Sequence, residues 1–379
     1  TKFDTLASRI LGGDPVDMFP YEWDAVPNGV TKEQYQPLDD YLDLGDDIWS
    51  DMSDVIEMFK YKDKHYVVPY CLSDPLLITY NRSLCEENGL DDPYELYKKD
   101  KWDWDTFMDM MKTFVSNAKD GETRYGINGW FGQAMVQSTG ETFVKYDGTK
   151  FSNNISSPAI EEAEGVMEEI MSLGLYDPTW YGYLPDDGST LFFGMADWAL
   201  GASNVKADPK PDYEDNGYVE ENDLMIVPFP KQPGSDEYYL NCNFGAKMLV
   251  KNSDKGAAVA AYIKCERLAS MIDEYKDAAK EKAIIPEVNA QGKLKSYVTE
   301  EQYDALQDYK DPKNITPVFD FGYGMGSRMY GDGEYTYETR GVMNNLTSAL
   351  LNGDKDSWAV LRDEWSSVID EVIDGYNNK

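Results

Sequence analysis

The sequence predicts an α/β protein built from two lobes that are each discontinuous in the chain. Predicted strands alternate with predicted helices throughout, which is typical of α/β proteins with largely parallel sheets. The 379 residues exceed the size at which a single hydrophobic core keeps growing, so two lobes are expected. Three extended runs, near residues 70–80, 238–250 and 316–321, separate blocks of this pattern. We therefore expect three crossings between the lobes.

The first extended run, residues 67–82, shows most clearly why a crossing is expected. Leu76 to Tyr80 form an unbroken apolar segment that could be buried on both faces of a sheet. Asn81 can cap the helix that follows. Two prolines interrupt the run, so it cannot be one uniform central strand. A bent crossing segment would place Tyr70 and Asp74 between the lobes, although an ordinary strand within one domain is the alternative.

Apolar spacing and capping residues predict the helices. In chain order they cover residues 3–11, 49–60, a short helix that Asn81 caps and that ends at residues 88–89, and residues 106–117, 158–173, 257–268, 339–351 and 358–376. Asp103 or Asp105 can cap the helix at 106–117. Further strands are predicted at residues 16–19, 125–131 and 224–229.

The charge of the chain restricts its partners. The formal net charge is -35, which repels nucleic acid and anionic lipid and disfavours a polyanionic ligand. The mean hydropathy is -0.57, and no apolar run is long enough to predict a membrane span. Aromatic residues are abundant, with 28 Tyr, 14 Phe and 9 Trp, and several fall in predicted loops. Aromatic faces pack against the C–H faces of sugar rings, so these loops favour a carbohydrate ligand.

The residues that carry metal and covalent chemistry are sparse. The four cysteines have no paired short spacing and His65 is the single histidine, so neither a zinc site nor a cofactor is expected. Cys71 and Cys242 both fall in predicted crossings, which leaves a disulfide between them open. Cys85 and Cys265 lie in predicted helices and are expected to be small apolar residues.

No enzymatic site is singled out by spacing. With 70 acidic residues, carboxylate pairs arise by chance, and none has the separation that would mark a glycosidase. A Ser/His/Asp arrangement would depend on His65, which lies in a polar turn. The segment from Asp212 to Asp223 approaches a calcium-loop pattern, but Glu214 and Asp223 replace the usual residues and prolines precede it. We therefore expect a protein that is not an enzyme and holds no metal.

A series of short motifs follows a family order along nearly the whole chain. They are residues 6–8 and 13–17, 36–39, 68–70 and 80–82, 102–105, 193–197, 228–230 and 252–255. With these motifs, the chain resembles the family 1 extracellular solute-binding proteins, the maltose-binding-protein-like group that serves ABC sugar importers.

The resemblance implies a two-lobed, periplasmic-binding-protein type fold with a hinge of about three crossings and a ligand cleft between the lobes. The first lobe would comprise residues 1–73 and 246–314, and the second lobe residues 74–245 and 315–379. Family members begin with a strand-helix-strand unit before the helix that contains Leu6. We expect that unit to precede residue 1, together with a lipid-attachment cysteine that anchors the protein to the outer face of the cell membrane.

The resemblance also implies the positions of the ligand-binding residues. The positions that match are Tyr21, Trp23 and Asp24 after the first strand, Asp74 at the hinge, Trp130, Phe131 and Trp198 in the second lobe, Asn241 and Asn243 on the second crossing, and Tyr335, Tyr337 and Arg340 in the final loop. Asparagines and carboxylates suit a neutral polyol because they supply donors and acceptors in fixed pairs. For Trp23 and Trp198, core packing is an equal alternative.

The functional hypothesis is a monomeric, extracellular binding protein without catalytic activity. It would capture a neutral carbohydrate, an oligosaccharide, and present it to the permease subunits of an ABC transporter. The alternatives are a surface polysaccharide-binding module without a transport role and, less favoured, a glycan-active enzyme.

Overall fold

The computed structural model describes residues 2–14, 16–210, 219, 223–331 and 336–378. These residues form two lobes with a cleft between them. Each lobe has one main β-sheet, and pairs of short strands lie where the lobes meet. None of the described helices is long and apolar enough to cross a lipid bilayer.

The strands of the described residues are short. In chain order they are β1 (Met18–Pro20), β2 (Tyr35–Gln36), β3 (Cys71–Ser73), β4 (Leu76–Asn81), β5 (Tyr125–Gly129), β6 (Val144–Tyr146), β7 (Phe151–Asn153), β8 (Tyr176–Asp177), β9 (Thr190–Ala196), β10 (Leu224–Pro228), β11 (Tyr239–Asn241), β12 (Asn243–Gly245), β13 (Lys247–Val250), β14 (Glu287–Val288), β15 (Leu294–Ser296) and β16 (Thr316–Val318).

The α-helices range from one turn to more than five turns. In chain order they are α1 (Lys2–Gly12), α2 (Asn28–Thr31), α3 (Ser53–Met58), α4 (Arg82–Glu87), α5 (Pro93–Lys98), α6 (Trp104–Ser116), α7 (Gly132–Gln137), α8 (Pro158–Ser172), α9 (Leu200–Ala207), α10 (Gly256–Met271), α11 (Asp273–Ala283), α12 (Glu300–Tyr309), α13 (Ser327–Tyr330), α14 (Val342–Ser348) and α15 (Trp358–Asn377). Short 3-10 helices form at Trp23–Ala25, Asp47–Trp49, Asp197–Ala199 and Phe321–Gly324.

Side-chain caps begin two of the predicted helices where the sequence places them. Asn81 Oδ1 accepts a hydrogen bond from Leu84 N at 2.7 Å and starts α4. Asp103 Oδ1 accepts one from Thr106 N at 2.9 Å and starts α6. Each cap satisfies a backbone N–H that has no partner within the helix, so the boundary is set by the sequence itself.

The second lobe contains a mixed five-stranded sheet in the order β10-β4-β9-β5-β8. Strands β9, β5 and β8 are parallel to one another, whereas β4 is antiparallel to both of its neighbours. The prediction of largely parallel sheets is therefore wrong. Strand β4 comes from the hinge and starts at the edge where β5 and β9 end, so it runs in the opposite direction to them. The prediction that Leu76 to Tyr80 are buried is confirmed.

The first lobe contains a three-stranded antiparallel sheet in the order β1-β13-β2. Its central strand comes from the second segment of the lobe, so the two segments of chain share one sheet. Helix α10 packs on β13, and buried rings such as Trp49 and Phe59 fill the core beside it.

The hinge is built from two pairs of strands. Strand β3 pairs with β12 in antiparallel orientation, and β11 pairs with β16 in parallel orientation. Strand β3 leads into the sheet of the second lobe through β4, and β12 leads into the sheet of the first lobe through β13. These two passages confirm the first two predicted crossings. The third predicted run also lies at the hinge, where Phe319 stacks on Phe59 at 4.0 Å.

Helix α12, which the sequence assigns to the first lobe, contacts the sheet of the second lobe. Gln302 Nε2 donates to Leu224 O at 2.8 Å, and the Tyr309 hydroxyl donates to Ile226 O at 3.0 Å. The lobe boundary at residue 314 stays a prediction.

Candidate functional site

A cleft of about 660 Å³ lies between the two lobes at the hinge. One wall is the loop after β1, the opposite wall follows the ends of β5 and β9, and the base is formed by β11, β12 and the residues around Asp74. Each part of the cleft presents a different kind of side chain, and their positions follow from the strands that carry them.

The wall on the first lobe is the segment Pro20 to Trp23. The Trp23 ring stacks on the Tyr330 ring with a centroid separation of 4.0 Å and an angle of 9° between planes. Phe3 contacts the same indole edge-on at 5.4 Å. Trp23 therefore lines the cleft with a ring that other aromatic side chains already hold in place.

The wall on the second lobe presents two exposed tryptophans, Trp130 and Trp198, which are 48% and 67% exposed. They follow β5 and β9, two parallel strands whose ends meet at one edge of the sheet. Gly129 turns the chain at a φ of +100°, and a Cβ there would lie 2.2 Å from Gly194 O. Glycine is required at this turn, and the turn directs the Trp130 indole into solvent.

The base of the cleft is polar and its side chains are paired. Asn243 Nδ2 donates to Asp74 Oδ2 at 3.3 Å, and Asn241 Nδ2 donates to Gln137 Oε1. Gln133 lies one turn before Gln137 on α7, so both amides face the cleft. The base thus offers fixed hydrogen-bond donors and acceptors below the tryptophans.

Two carboxyl groups near the base have pKa values that burial raises. Burial raises the pKa of Asp197 to about 6; the charge of Lys310 opposes the rise and that of Asp74 adds to it. Burial also raises the pKa of Asp320 to about 7, although the N–H groups of Gly322 and Phe143 donate to its carboxylate at 2.8 and 2.6 Å. Of these carboxylates, Asp74 is exposed and Asp320 is buried.

The histidine and the cysteines lie in separate surroundings. The part of the chain that the structure describes contains no group of three or more metal-ligating side chains. His65 lies in the first lobe away from the cleft lining, with its ring nitrogens 2.9 Å from Asp39 Oδ1 and 3.1 Å from Glu57 Oε1. All four cysteines are free, so the disulfide left open between Cys71 and Cys242 is not formed.

The cleft brings together more than half of the residues predicted to bind ligand. The predicted residues that line it are Tyr21, Trp23, Asp74, Trp130, Trp198, Asn241 and Asn243. Their assignment as ligand contacts stays a prediction, since no ligand is bound. Tyr335 and most of the segment from Asp212 to Asp223 lie outside the described residues.

Two predicted residues beside the cleft turn into the protein. Asp24 is buried, and its Oδ1 accepts a hydrogen bond from Asn28 Nδ2 at 2.7 Å. Phe131 is fully buried and stacks on Phe229. Each follows a tryptophan that faces the cleft, and successive side chains in an extended or turning segment point in different directions. Neither residue lines the cleft, which differs from the prediction for both.

Two predicted residues of the final loop are used to hold that loop in place. The buried Arg340 forms a salt bridge with Asp354, and its Nε donates to Asn345 Oδ1 at 2.5 Å. The Tyr337 hydroxyl accepts a hydrogen bond from Trp365 Nε1 at 3.1 Å. Neither side chain lines the cleft, which again differs from the prediction.

Sequence reasoning missed several cleft residues. They are Gln133, Gln137, Tyr323, Tyr330 and Asn344. The two glutamines could have been found, because they lie four residues apart directly after an exposed aromatic turn. The other three carry no such signal, since they reach the cleft only through the packing of the C-terminal helices.

Comparison with known proteins identifies the family. Residues 4–233, more than half of the chain, match the family model described as bacterial extracellular solute-binding protein. The chain belongs to this family. The resemblance found in the sequence is therefore confirmed. None of the curated proteins compared with this solute-binding protein matches it.

Solved structures of similar fold cover nearly the whole of this solute-binding protein. The cyclic α-maltosyl-1,6-maltose binding protein from Arthrobacter globiformis has 16% identity and a TM-score of 0.65, with 98% of this chain and 88% of that chain covered. The galacto-N-biose-/lacto-N-biose I-binding protein of the ABC transporter from Bifidobacterium longum has 13% identity and a TM-score of 0.63, with 97% and 85% covered. UgpB from Mycobacterium tuberculosis, in complex with glycerophosphocholine, has 12% identity and a TM-score of 0.64, with 99% and 88% covered. At these identities the comparison shows the two-lobed fold.

Proposed function

We propose that this solute-binding protein captures a neutral oligosaccharide in its cleft and delivers it to the permease subunits of an ABC transporter. The observation that carries the proposal is the pair of exposed indoles, Trp130 and Trp198, above a base of amide and carboxylate side chains. Large apolar rings left in solvent on a concave wall mark a binding site.

The chemistry of the cleft matches the two kinds of surface on a sugar. A flat indole buries the apolar face of a pyranose, and the paired groups at the base exchange hydrogen bonds with its hydroxyls. Asn243 and Asp74 already form such a donor and acceptor pair, and Gln137 and Asn241 form another. Fixed pairs of this kind recognise neutral hydroxyls without needing a charge on the ligand.

The similar structures support the same class of ligand. The Arthrobacter and Bifidobacterium proteins bind oligosaccharides by their names, whereas UgpB holds glycerophosphocholine. The cleft lining of the present protein contains the carboxylates Glu22 and Asp74 against one lysine, Lys247, besides the buried Asp320. This excess of acidic groups disfavours a phosphate-bearing ligand and favours the neutral sugar.

A glycan-active enzyme is the second candidate, and one observation favours it. Asp197 has its pKa raised to about 6 close to the Asp74 carboxylate, and glycosidases use one carboxyl group of raised pKa beside another carboxylate. Membership in a family of solute-binding proteins is the stronger argument, so we propose that the protein releases its ligand without changing it chemically. Incubation of the protein with neutral oligosaccharides, followed by mass spectrometry, separates the two candidates.

The proposal also covers the oligomeric state and the cellular location of the protein. It would act as a monomer outside the cell, held to the outer face of the membrane by a lipid on an N-terminal segment, as its family resemblance suggests. Size-exclusion chromatography with light scattering tests the monomer. Fractionation of cells after palmitate labelling tests the anchor, and a protein recovered unlabelled from the medium would contradict it.

A thermal-shift screen against neutral oligosaccharides of different linkage tests the central proposal. A ligand of the cleft binds the folded state alone, so it should raise the melting temperature in a concentration-dependent way. Titration calorimetry then gives the affinity and shows whether one sugar binds per protein. A protein that responds to glycerophosphodiesters or to charged solutes, and to no oligosaccharide, would contradict the proposal.

A further inference from the structure

A third exposed tryptophan stands at the same sheet edge as the two that line the cleft. Trp180 follows β8, just as Trp130 follows β5 and Trp198 follows β9. Its side chain is 61% exposed, compared with 48% for Trp130 and 67% for Trp198. Trp180 is not part of the cleft lining. The proposed function therefore leaves this large apolar ring in solvent without a role.

The sheet places the three tryptophans in a row. Strands β9, β5 and β8 are neighbours and run parallel, so their carboxyl ends meet at one edge. Asn128 of β5 pairs with Phe193 on one side and with Asp177 on the other, which places these three residues at one level of the sheet. Neighbouring strands lie about 4.8 Å apart, so Phe193 of β9 and Asp177 of β8 are about 10 Å apart at that level. Strand β8 ends there, β5 ends one residue later and β9 runs on to Ala196, and the loops that follow carry, in strand order, Trp198, Trp130 and Trp180.

The loop that carries Trp180 is fixed to the end of β5. Asn128 Nδ2, on a fully buried side chain, donates to Asp177 O at 2.9 Å and to Thr179 O at 2.6 Å. Asp177 Oδ1 accepts from Thr179 N at 2.9 Å. The Trp180 ring lies 6.2 Å from the Phe193 ring of β9. Thr179, the residue before Trp180, is thus held by hydrogen bonds beside β5, the strand that presents Trp130.

We propose that Trp180 is a further stacking platform, and that the ligand is an oligosaccharide long enough to run from Trp198 past Trp130 to Trp180. This inference rests on the proposed function. An indole buries the apolar face of one pyranose, so three indoles in a row along one edge match successive units of a sugar chain. A mono- or disaccharide would be held within the cleft and would leave Trp180 uncovered. The structure therefore assigns a chain-length preference to the same site.

The test compares affinities across sugar length. The probes are α-1,4-glucan, β-1,6-galactan and β-1,4-xylan oligosaccharides from disaccharide to hexasaccharide, titrated calorimetrically into the full chain. The variants are Trp180→Ala, Trp180→Phe and Trp198→Ala. Tyr275→Ala serves as the matched control, because Tyr275 is a comparably exposed ring at 54% on α11, away from this edge.

The expected result is a loss that depends on length. Trp180→Ala should weaken the binding of the longer members by about tenfold and leave the shortest bound member unchanged. Trp180→Phe should recover part of the loss, since it keeps a flat ring. Trp198→Ala should weaken every length, and Tyr275→Ala none. Because the Trp180 ring is mostly exposed, its removal should barely change the melting temperature.

Other outcomes separate this inference from the function on which it rests. If Trp180→Ala binds long and short members as the wild type does, while Trp198→Ala binds all of them poorly, the platform is refuted and the sugar site stands. An equal loss at every length would place Trp180 within the cleft site and would also refute the preference for length. If no oligosaccharide binds the wild type, the proposed function fails and the inference fails with it.

Discussion

Removal of the Trp198 ring tests the proposed sugar site most directly. The indole is 67% exposed, so about 170 Å² of a side chain of roughly 250 Å² is open to solvent. A pyranose stacked on one face would bury about half of that area. At ~25 cal/mol per Å² this burial contributes about 2 kcal/mol, which is roughly a 30-fold change in Kd. We expect Trp198→Ala to lose affinity by about this factor.

The same variant should remain well folded. About one third of the Trp198 surface is already buried in the folded protein, and its burial would stabilise the fold by at most about 2 kcal/mol. Unfolded chains are compact and already bury part of their apolar surface, so the true value is lower. Trp23 provides the contrast, because its ring stacks on Tyr330 at 4.0 Å and contacts Phe3 edge-on. Replacing a packed tryptophan by alanine costs about 3–5 kcal/mol. We expect Trp23→Ala to melt clearly earlier than Trp198→Ala.

The assay measures melting temperature and sugar affinity on both variants, with Trp198→Phe as the matched control that keeps a smaller ring. Wild-type affinity in Trp198→Ala would refute the placement of the sugar on this indole. A melting temperature as low as that of Trp23→Ala would show that Trp198 is a packing residue. In either case the family assignment would stand, because it rests on the match over residues 4–233.

Three further predictions concern the hinge, the charge and one buried carboxyl group. Ligand binding should close the lobes about the paired hinge strands, so the radius of gyration from small-angle scattering should fall, and an unchanged value at saturation would indicate a rigid module. Sugar affinity should depend only weakly on salt, because the ligand is neutral; a steep loss in added salt would point to a charged solute. Glu164 is fully buried with both carboxylate oxygens unpartnered, and burial raises its pKa well above the usual value. The contribution of Glu164 to the stability of the fold is therefore largest below the ordinary pKa of a glutamate and is lost as pH rises through its pKa in the folded state. Glu164→Gln should accordingly be more stable than the wild type at neutral pH, and this gain in stability should shrink near pH ~4. Urea unfolding across that pH range, with exposed Glu161→Gln on the same helix as the control, measures it, and a gain independent of pH would contradict the account.

Local signals in the sequence predicted much of the fold. Asn81 and Asp103 cap their helices as expected, and the apolar run from Leu76 to Tyr80 is buried as expected. These features depend on neighbouring residues alone. Strand direction depends on which distant segments pair, and the alternation of apolar and polar residues along a strand contains no such information. The prediction of largely parallel sheets was wrong for that reason.

The cleft was predicted where exposed loops follow strands and was missed where packing decides the orientation. Trp130 and Trp198 follow the ends of parallel strands, which topology alone directs to one edge. Phe131 turned into the core because the same turn can send only one of two adjacent rings outward. Tyr330 reaches the cleft by stacking on Trp23, more than three hundred positions earlier in the chain, and no local pattern could indicate that contact.

The central position of β13 has a consequence for how the chain acquires its structure during synthesis. Strands β1 and β2 are made early, yet each pairs with β13, and Gln36 and Val250 are joined by a hydrogen bond across 214 residues. A nascent chain that ends before residue 247 therefore has two edge strands without the strand that belongs between them. Contacts of such long range form slowly, because a large loop must close before they stabilise anything. The first lobe to be synthesised thus cannot be the first to fold by itself, and its early strands stay open until most of the second lobe has been made.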